Sequence, residues 1–122
     1  MKPSSAKNKG RKLQQEVKAL IHKFFPHLAE DDVISRSMGS SGEDVILSAA
    51  ARQVLPLSIE CKATEKFNLR EAWEQAEANS KQWNPVVIHR KNRTKPVAVV
   101  DLEYFIELHS DCHKLGLKLD AK

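Results

Sequence analysis

The run Leu57-Ser58-Ile59-Glu60-Cys61-Lys62 constrains this chain more than any other segment. Side chains alternate between the two faces of a strand, so Leu57, Ile59 and Cys61 point into a core while Glu60 and Lys62 project side by side from the opposite face. Such a strand needs partners beside it and helices across it, and the apolar pattern on either side supplies both. Upstream, Leu13, Val17, Leu20, Ile21 and Phe24 follow one helical stripe from Arg11 until Pro26 stops it. Downstream, Leu69 to Ser80 carries Leu69, Ala72, Trp73 and Ala76 on one helix face.

Strands are expected over Val33–Met38 and Asp44–Ser48, joined by the turn Gly39-Ser40-Ser41-Gly42, and over Leu55–Lys62, Pro85–His89 and Pro96–Asp101. Ala49 to Arg52 reads as a small-residue connection. Leu102, Phe105, Ile106 and Leu108 suggest a last short helix. The resulting order, αβββαββα, predicts an α/β fold with a central mixed five-stranded sheet flanked by helices. Residues 1–10 lack periodicity and are expected to form a flexible basic arm, residues 11–110 a single domain, and 111–122 a polar tail.

The 122 residues suffice for one ordinary domain, and 41% hydrophobic with 30% charged residues argues against a disordered chain. No uncharged stretch approaches the ~18 residues that span a bilayer, and no apolar segment follows the basic N-terminus as in a secretory signal. Cys61 and Cys112 fit reduced thiols of a cytoplasmic protein. Charge is distributed unevenly: residues 1–23 carry +6, 24–80 carry −5 and 81–122 carry +3. Basic ends suit a polyanion and an acidic middle suits a cation, although solvated surface charge gives the same totals.

Position sharpens that reading. Asp44 lies sixteen residues before Glu60, at the start of a strand. If the two strands are neighbours, both carboxylates converge on one cation with Lys62 beside them, an arrangement suited to phosphodiester hydrolysis. The acid-x-Lys tripeptide alone carries no weight, because Glu16/Lys18 and Asp120/Lys122 repeat it. Only the Glu60/Lys62 copy lies on a strand, with an acid on a second strand and an amphipathic helix after it. Glu16 falls about 80° from the middle of the first helix's apolar stripe, at the edge of its buried face.

With Ser37-Met38-Gly39-Ser40-Ser41-Gly42-Glu43-Asp44 and Ser58-Ile59-Glu60-Cys61-Lys62, the chain resembles the PD-(D/E)xK nuclease superfamily over roughly residues 7–108. It is similar to archaeal-type Holliday junction resolvases and to small phage-encoded endonucleases of that superfamily. The resemblance implies a restriction-endonuclease-like core. It implies Mg²⁺, replaceable by Mn²⁺, held by Asp44, Glu60 and the backbone carbonyl of Cys61, with Lys62 stabilising the transition state. It further implies Glu16 as an additional acid and Gln75, four residues before Asn79 on the second helix, as a supporting group. Glu43 stands where the motif has Pro and is a rival acid, and Gln15 is an alternative to Glu16.

Phosphate contacts are expected from Lys9, Arg11 and Lys12 together with Lys7, from the turn residues Arg90, Lys91, Arg93 and Lys95, and from Ser37 and Ser40. Backbone contacts position a duplex without reading its sequence, so a branched DNA such as a four-way junction is the expected partner. A homodimer matches that junction's two-fold symmetry. The expected activity is thus structure-selective DNA cleavage in the cytoplasm, that of a bacterial host if the chain is phage-encoded, without membrane or small-molecule cofactor. A less selective nuclease acting on flaps, nicks or ends and a non-catalytic DNA-binding module are the alternatives. His109, Cys112 and His113 have helical spacing for zinc, but only three ligands are present. His89 reads as a packed histidine, and Trp73 and Trp83 as core or interface residues.

Overall fold

The structure, a computed structural model, describes residues 3–36 and 43–121. Its elements in chain order are α1 (Pro3–Phe24), a single 3-10 turn (Glu30–Asp32), β1 (Val33–Ser35), β2 (Val45–Leu47), α2 (Ala49–Val54), β3 (Leu57–Lys62), α3 (Leu69–Asn79), β4 (Asn84–His89), β5 (Val97–Val100) and α4 (Leu102–Lys114). The fold is α/β, with one open, mixed five-stranded sheet ordered β1-β2-β3-β4-β5 and flanked by helices.

β3 is the middle strand. It pairs antiparallel with β2, with Val45 opposite Ile59, and parallel with β4, with Glu60 opposite Val87 and Lys62 opposite His89. A parallel pair needs a crossover, and α3 provides it. Each face of the sheet therefore has its own core. On one side Ile59, Leu57, Cys61, Val45, Leu47 and Val86 meet Val17 and Ile21 of α1. On the other side Val87 meets Ala72, Ala76 and Trp73 of α3. The second core is small, and the small alanines let α3 lie close to the sheet. Glu60 and Lys62 alternate onto this α3 face.

Four expectations are corrected. The segment read as a flexible arm is helical from Pro3, a residue whose fixed φ suits the first helical position, and the lysines and Ala6 that follow are good helix formers. The connection after β2 is a helix, because the Ser48 side chain accepts the Ala51 N–H and caps three alanines. The order is therefore αββαβαββα rather than αβββαββα. The stripe of α1 is also rotated: Leu13, Gln14 and Ile21 are buried, while Leu20 and Phe24 are 54% and 64% exposed. Finally, α4 extends through Lys114 into the segment expected to be tail, and Gly116, at φ +77°, forms the turn that ends it.

Candidate active site

Asp44 and Glu60 meet where β2 leaves β3. The Asp44 N–H donates to the Ile59 carbonyl at 2.9 Å, and the Arg36 N–H donates to the Asp44 carbonyl at 2.8 Å, so the backbone of Asp44 is held from both neighbouring strands. Its side chain then reaches along β3, and Oδ2 accepts the Cys61 N–H at 2.7 Å. In a strand a residue's N–H and C=O share an edge, so the Cys61 carbonyl faces the Asp44 side as well. The Glu60 carboxyl is buried at 5% exposure and lies within hydrogen-bonding reach of Asp44. Burial, then the neighbouring Asp44 charge, pushes Glu60 up from 4.5 to about 7, against the opposing pull of Asn79 and Lys62.

α3 supports both β3 side chains from across the sheet. Asn79 Nδ2 donates to Glu60 Oε1 at 3.0 Å, and Lys62 Nζ donates to Gln75 Oε1 at 3.4 Å. Residues four apart on a helix match residues two apart on the strand beneath, which explains how one helix addresses both. Cys61 points away into the α1 core. Its thiol is pushed far above its usual range by burial and by the Asp44 and Glu60 charges, which keeps it protonated.

The other expected acids have different partners. Glu43 binds Arg52, whose Nη2 reaches both carboxylate oxygens at 2.8 Å. The same guanidinium donates to the carbonyls of Leu47 and Leu57 and sits 4.7 Å from the Trp83 ring. Glu43 is thus a structural ion-pair partner that fixes the approach of the chain to Asp44. Glu16 forms an ion pair with Arg90 and is not brought to Asp44 and Glu60, because Val17 takes the position facing the sheet. Gln15 is exposed, whereas the buried Gln14 accepts the Ser35 hydroxyl. Asn79, named with Gln75 in the sequence reading but ranked behind it, is the one that reaches Glu60, and Arg52 is the residue that reading left out of the site. Arg52 is the only charged residue between Asp44 and Glu60, a signal that was there to be used.

The turn after β4 starts at one end of this site. The Arg90 N–H donates to the Lys62 carbonyl at 3.1 Å, so the turn begins beside the end of β3. Lys91, Arg93 and Lys95 on it are exposed, and the Glu16–Arg90 pair ties it to α1, where Arg11 and Lys12 are exposed and Lys9 is half-buried. Ser37 and Ser40 lie outside the described residues. His89 is buried, its ring stacked on Phe67 at 3.9 Å with one nitrogen 2.9 Å from the Thr64 carbonyl. His109 is turned back to the Phe105 carbonyl on its own helix.

Comparison with family models, with curated proteins and with solved structures finds no match. The geometry therefore has to speak for the site. Among the described residues no group of three or more His, Cys, Asp or Glu side chains stands ready to hold a metal. Mg²⁺, however, is typically held by one or two carboxylates and completes its shell with water and substrate phosphate. Two carboxylates in contact, one of them raised to about 7 by burial and by the other, form a site where a divalent cation relieves the repulsion. The residues fit such an ion.

No helix of the described residues is long and apolar enough to cross a membrane.

Proposed function

We propose that the chain is a metal-dependent endodeoxyribonuclease of the PD-(D/E)xK type, with a restriction-endonuclease-like core and a preference for branched DNA such as a four-way junction. One observation carries this reading: the Asp44–Glu60 carboxylate pair at the junction of β2 and β3, with Lys62 two residues further along the same face. Asp44, Glu60 and the Cys61 carbonyl would hold the ion, Mg²⁺ or Mn²⁺. When bound, it supplies Lewis-acid stabilisation of charge on a phosphodiester.

The chain's own residues do the rest. Lys62 is a cationic donor aimed at charge that develops on the phosphate oxygens, and Gln75 limits its freedom through the Nζ–Oε1 contact. Asn79 presents its N–H to one oxygen of Glu60 and leaves the other to face Asp44. Arg52 and Glu43 keep the backbone before Asp44 in register with β3. Exposed Lys91, Arg93, Lys95, Arg11 and Lys12 supply sequence-independent attraction for phosphates next to the Lys62 end of the site. Glu16, in this reading, orients Arg90 and takes no direct part in binding the ion.

A panel of labelled DNA structures (four-way junction, flap, nicked and linear duplex) incubated with Mg²⁺, Mn²⁺ or EDTA tests the reading. Paired, symmetric nicks in the junction with either metal, and none in EDTA, support it. Comparable cutting of all structures makes the chain a less selective nuclease. Binding without cutting in either metal makes it a DNA-binding module.

A further inference from the structure

Residues 63–68 join β3 to α3, and most of this short loop is anchored. The buried His89 ring lies flat on the Phe67 ring at 3.9 Å, with one ring nitrogen 2.9 Å from the Thr64 carbonyl. Glu65 accepts the Asn92 N–H at 2.9 Å, which ties the loop to the turn after β4. The Asn68 side chain accepts the Glu71 N–H at 3.0 Å where α3 begins. Between these anchors stands Lys66, with an exposed side chain. Among the described residues it joins none of the ion pairs, whose cations are Lys18, Arg52 and Arg90. A cation on a fixed backbone with no partner of its own is placed to hold an anion at little conformational cost.

Lys66 and Lys62 line the same cleft, of about 230 Å³, between this loop and α3, and Thr64, Asn68, Glu71 and Gln75 share its wall. At about 30 Å³ per water, that is room for one phosphate group with waters around it. Two lysines stand against a single acid, Glu71, so the wall keeps a net positive charge. Lys62 spends one of its three N–H donors on Gln75 Oε1 and has two left to give.

The cleft begins where the carboxylate pair ends. On α3, Asn79 holds Glu60, and Gln75, about one turn earlier, holds Lys62 and lines the cleft. The order along β3 is therefore Glu60, then Lys62 on the border, then the cleft. Glu60 and Lys62 are about 6.6 Å apart along the strand. That is close to the step between neighbouring phosphates of one DNA strand, so a phosphate over the carboxylate pair has its neighbour at the cleft.

We propose that this cleft binds the phosphate next to the one being cut, on one side of the scissile bond only, with Lys66 as its own cation and Lys62 shared between the two phosphates. The proposal rests on the nuclease reading and adds to it a second, adjoining phosphate site. It also gives the His89–Phe67 stack and the Glu65–Asn92 bond a use, because they hold the loop that carries Lys66.

Calorimetric titration of the full chain in Mg²⁺ tests it, with thymidine 3′,5′-bisphosphate, each thymidine monophosphate and inorganic phosphate as probes. The bisphosphate should bind roughly tenfold or more tighter than any of the single phosphates, the scale of one hydrogen bond to a charged group. Lys66→Ala changes an exposed side chain, so it should leave the melting temperature unchanged while it removes that advantage. Lys66→Arg should keep it. A wild type that binds the bisphosphate no better than a single phosphate, or not at all, overturns the proposal, and so does a Lys66→Ala protein that retains the advantage. Failure of the nuclease reading looks different: the bisphosphate advantage is present and depends on Lys66, yet a labelled junction stays uncut in Mg²⁺. In that case the paired phosphate site stands and its role beside a scissile bond is overturned.

Discussion

Replacing Glu60 by Gln should make the metal-free protein more stable at alkaline pH, although it removes a residue from the proposed site. In the unfolded chain the Glu60 carboxyl titrates near 4.5, and in the folded protein burial and Asp44 raise it to about 7. Between these values the folded state holds a proton that the unfolded state has lost. Unfolding free energy therefore falls as pH rises through this window, and the penalty is complete above about pH 7. At 1.36 kcal/mol per pH unit the shift corresponds to at most about 3 kcal/mol. Asp44 beside it is only half-buried, so solvent screens part of the repulsion, and about half that value is the expected gain. Gln keeps an oxygen for the Asn79 amide and offers an N–H to Asp44, so no new unpaired group is created. In EDTA at pH 8 the variant should melt roughly 5 °C above the wild type. The difference should shrink towards zero at pH 4.5, and Mg²⁺ should narrow it at pH 8 by stabilising the wild type alone. A variant less stable than the wild type at pH 8 in EDTA, or a difference that does not change with pH, would refute the reasoning.

Arg52→Ala strands the Glu43 carboxylate, 19% exposed, and removes two donors to strand carbonyls; urea denaturation should show a loss of about 3 kcal/mol, with slower cleavage as Asp44 loosens. Lys91→Ala, Arg93→Ala and Lys95→Ala combined should weaken DNA binding equally for all sequences and flatten the log–log salt dependence by up to about 2.7, about 0.9 per lost phosphate contact. Adding Arg90→Ala should flatten it by less than a further contact, since that guanidinium is already neutralised by Glu16; gel-shift titration over a salt series reads both. Lys18 belongs to a surface ion pair with Glu30 at 2.9 Å, and Lys18→Ala should cost under about 1 kcal/mol in a thermal melt and leave cleavage unchanged.

How far the site was legible depended on whether local rules governed it. Strand alternation put Glu60 and Lys62 on one face and Cys61 on the other, and a helix repeat of four put Gln75 and Asn79 on one side of α3; the structure has both. The partners of Glu16 and Glu43 were not legible. Each is set by a guanidinium brought in by tertiary folding: Arg90 is 74 residues away from Glu16, and Arg52 sits on a helix whose three alanines disguised it as a connection. The rotation of α1 was hidden for a related reason. Leu20 and Phe24 fit the helical period as well as Leu13 and Ile21 do, and periodicity alone does not tell a face that packs on its own sheet from one left open beside it.

The central claim, that Asp44, Glu60 and Lys62 form one metal-dependent hydrolytic site, is tested most directly by single-turnover cleavage of a labelled four-way junction by the wild type and by Lys62→Ala, in Mg²⁺ and in EDTA, beside a gel-shift titration of the same junction. The wild type should cut only with Mg²⁺. Lys62→Ala should bind the junction with near wild-type affinity and cut it slower by about 10²-fold or more, the scale expected when a transition-state donor is removed. Cleavage by Lys62→Ala at the wild-type rate, or wild-type cleavage that persists in EDTA, would contradict the assignment.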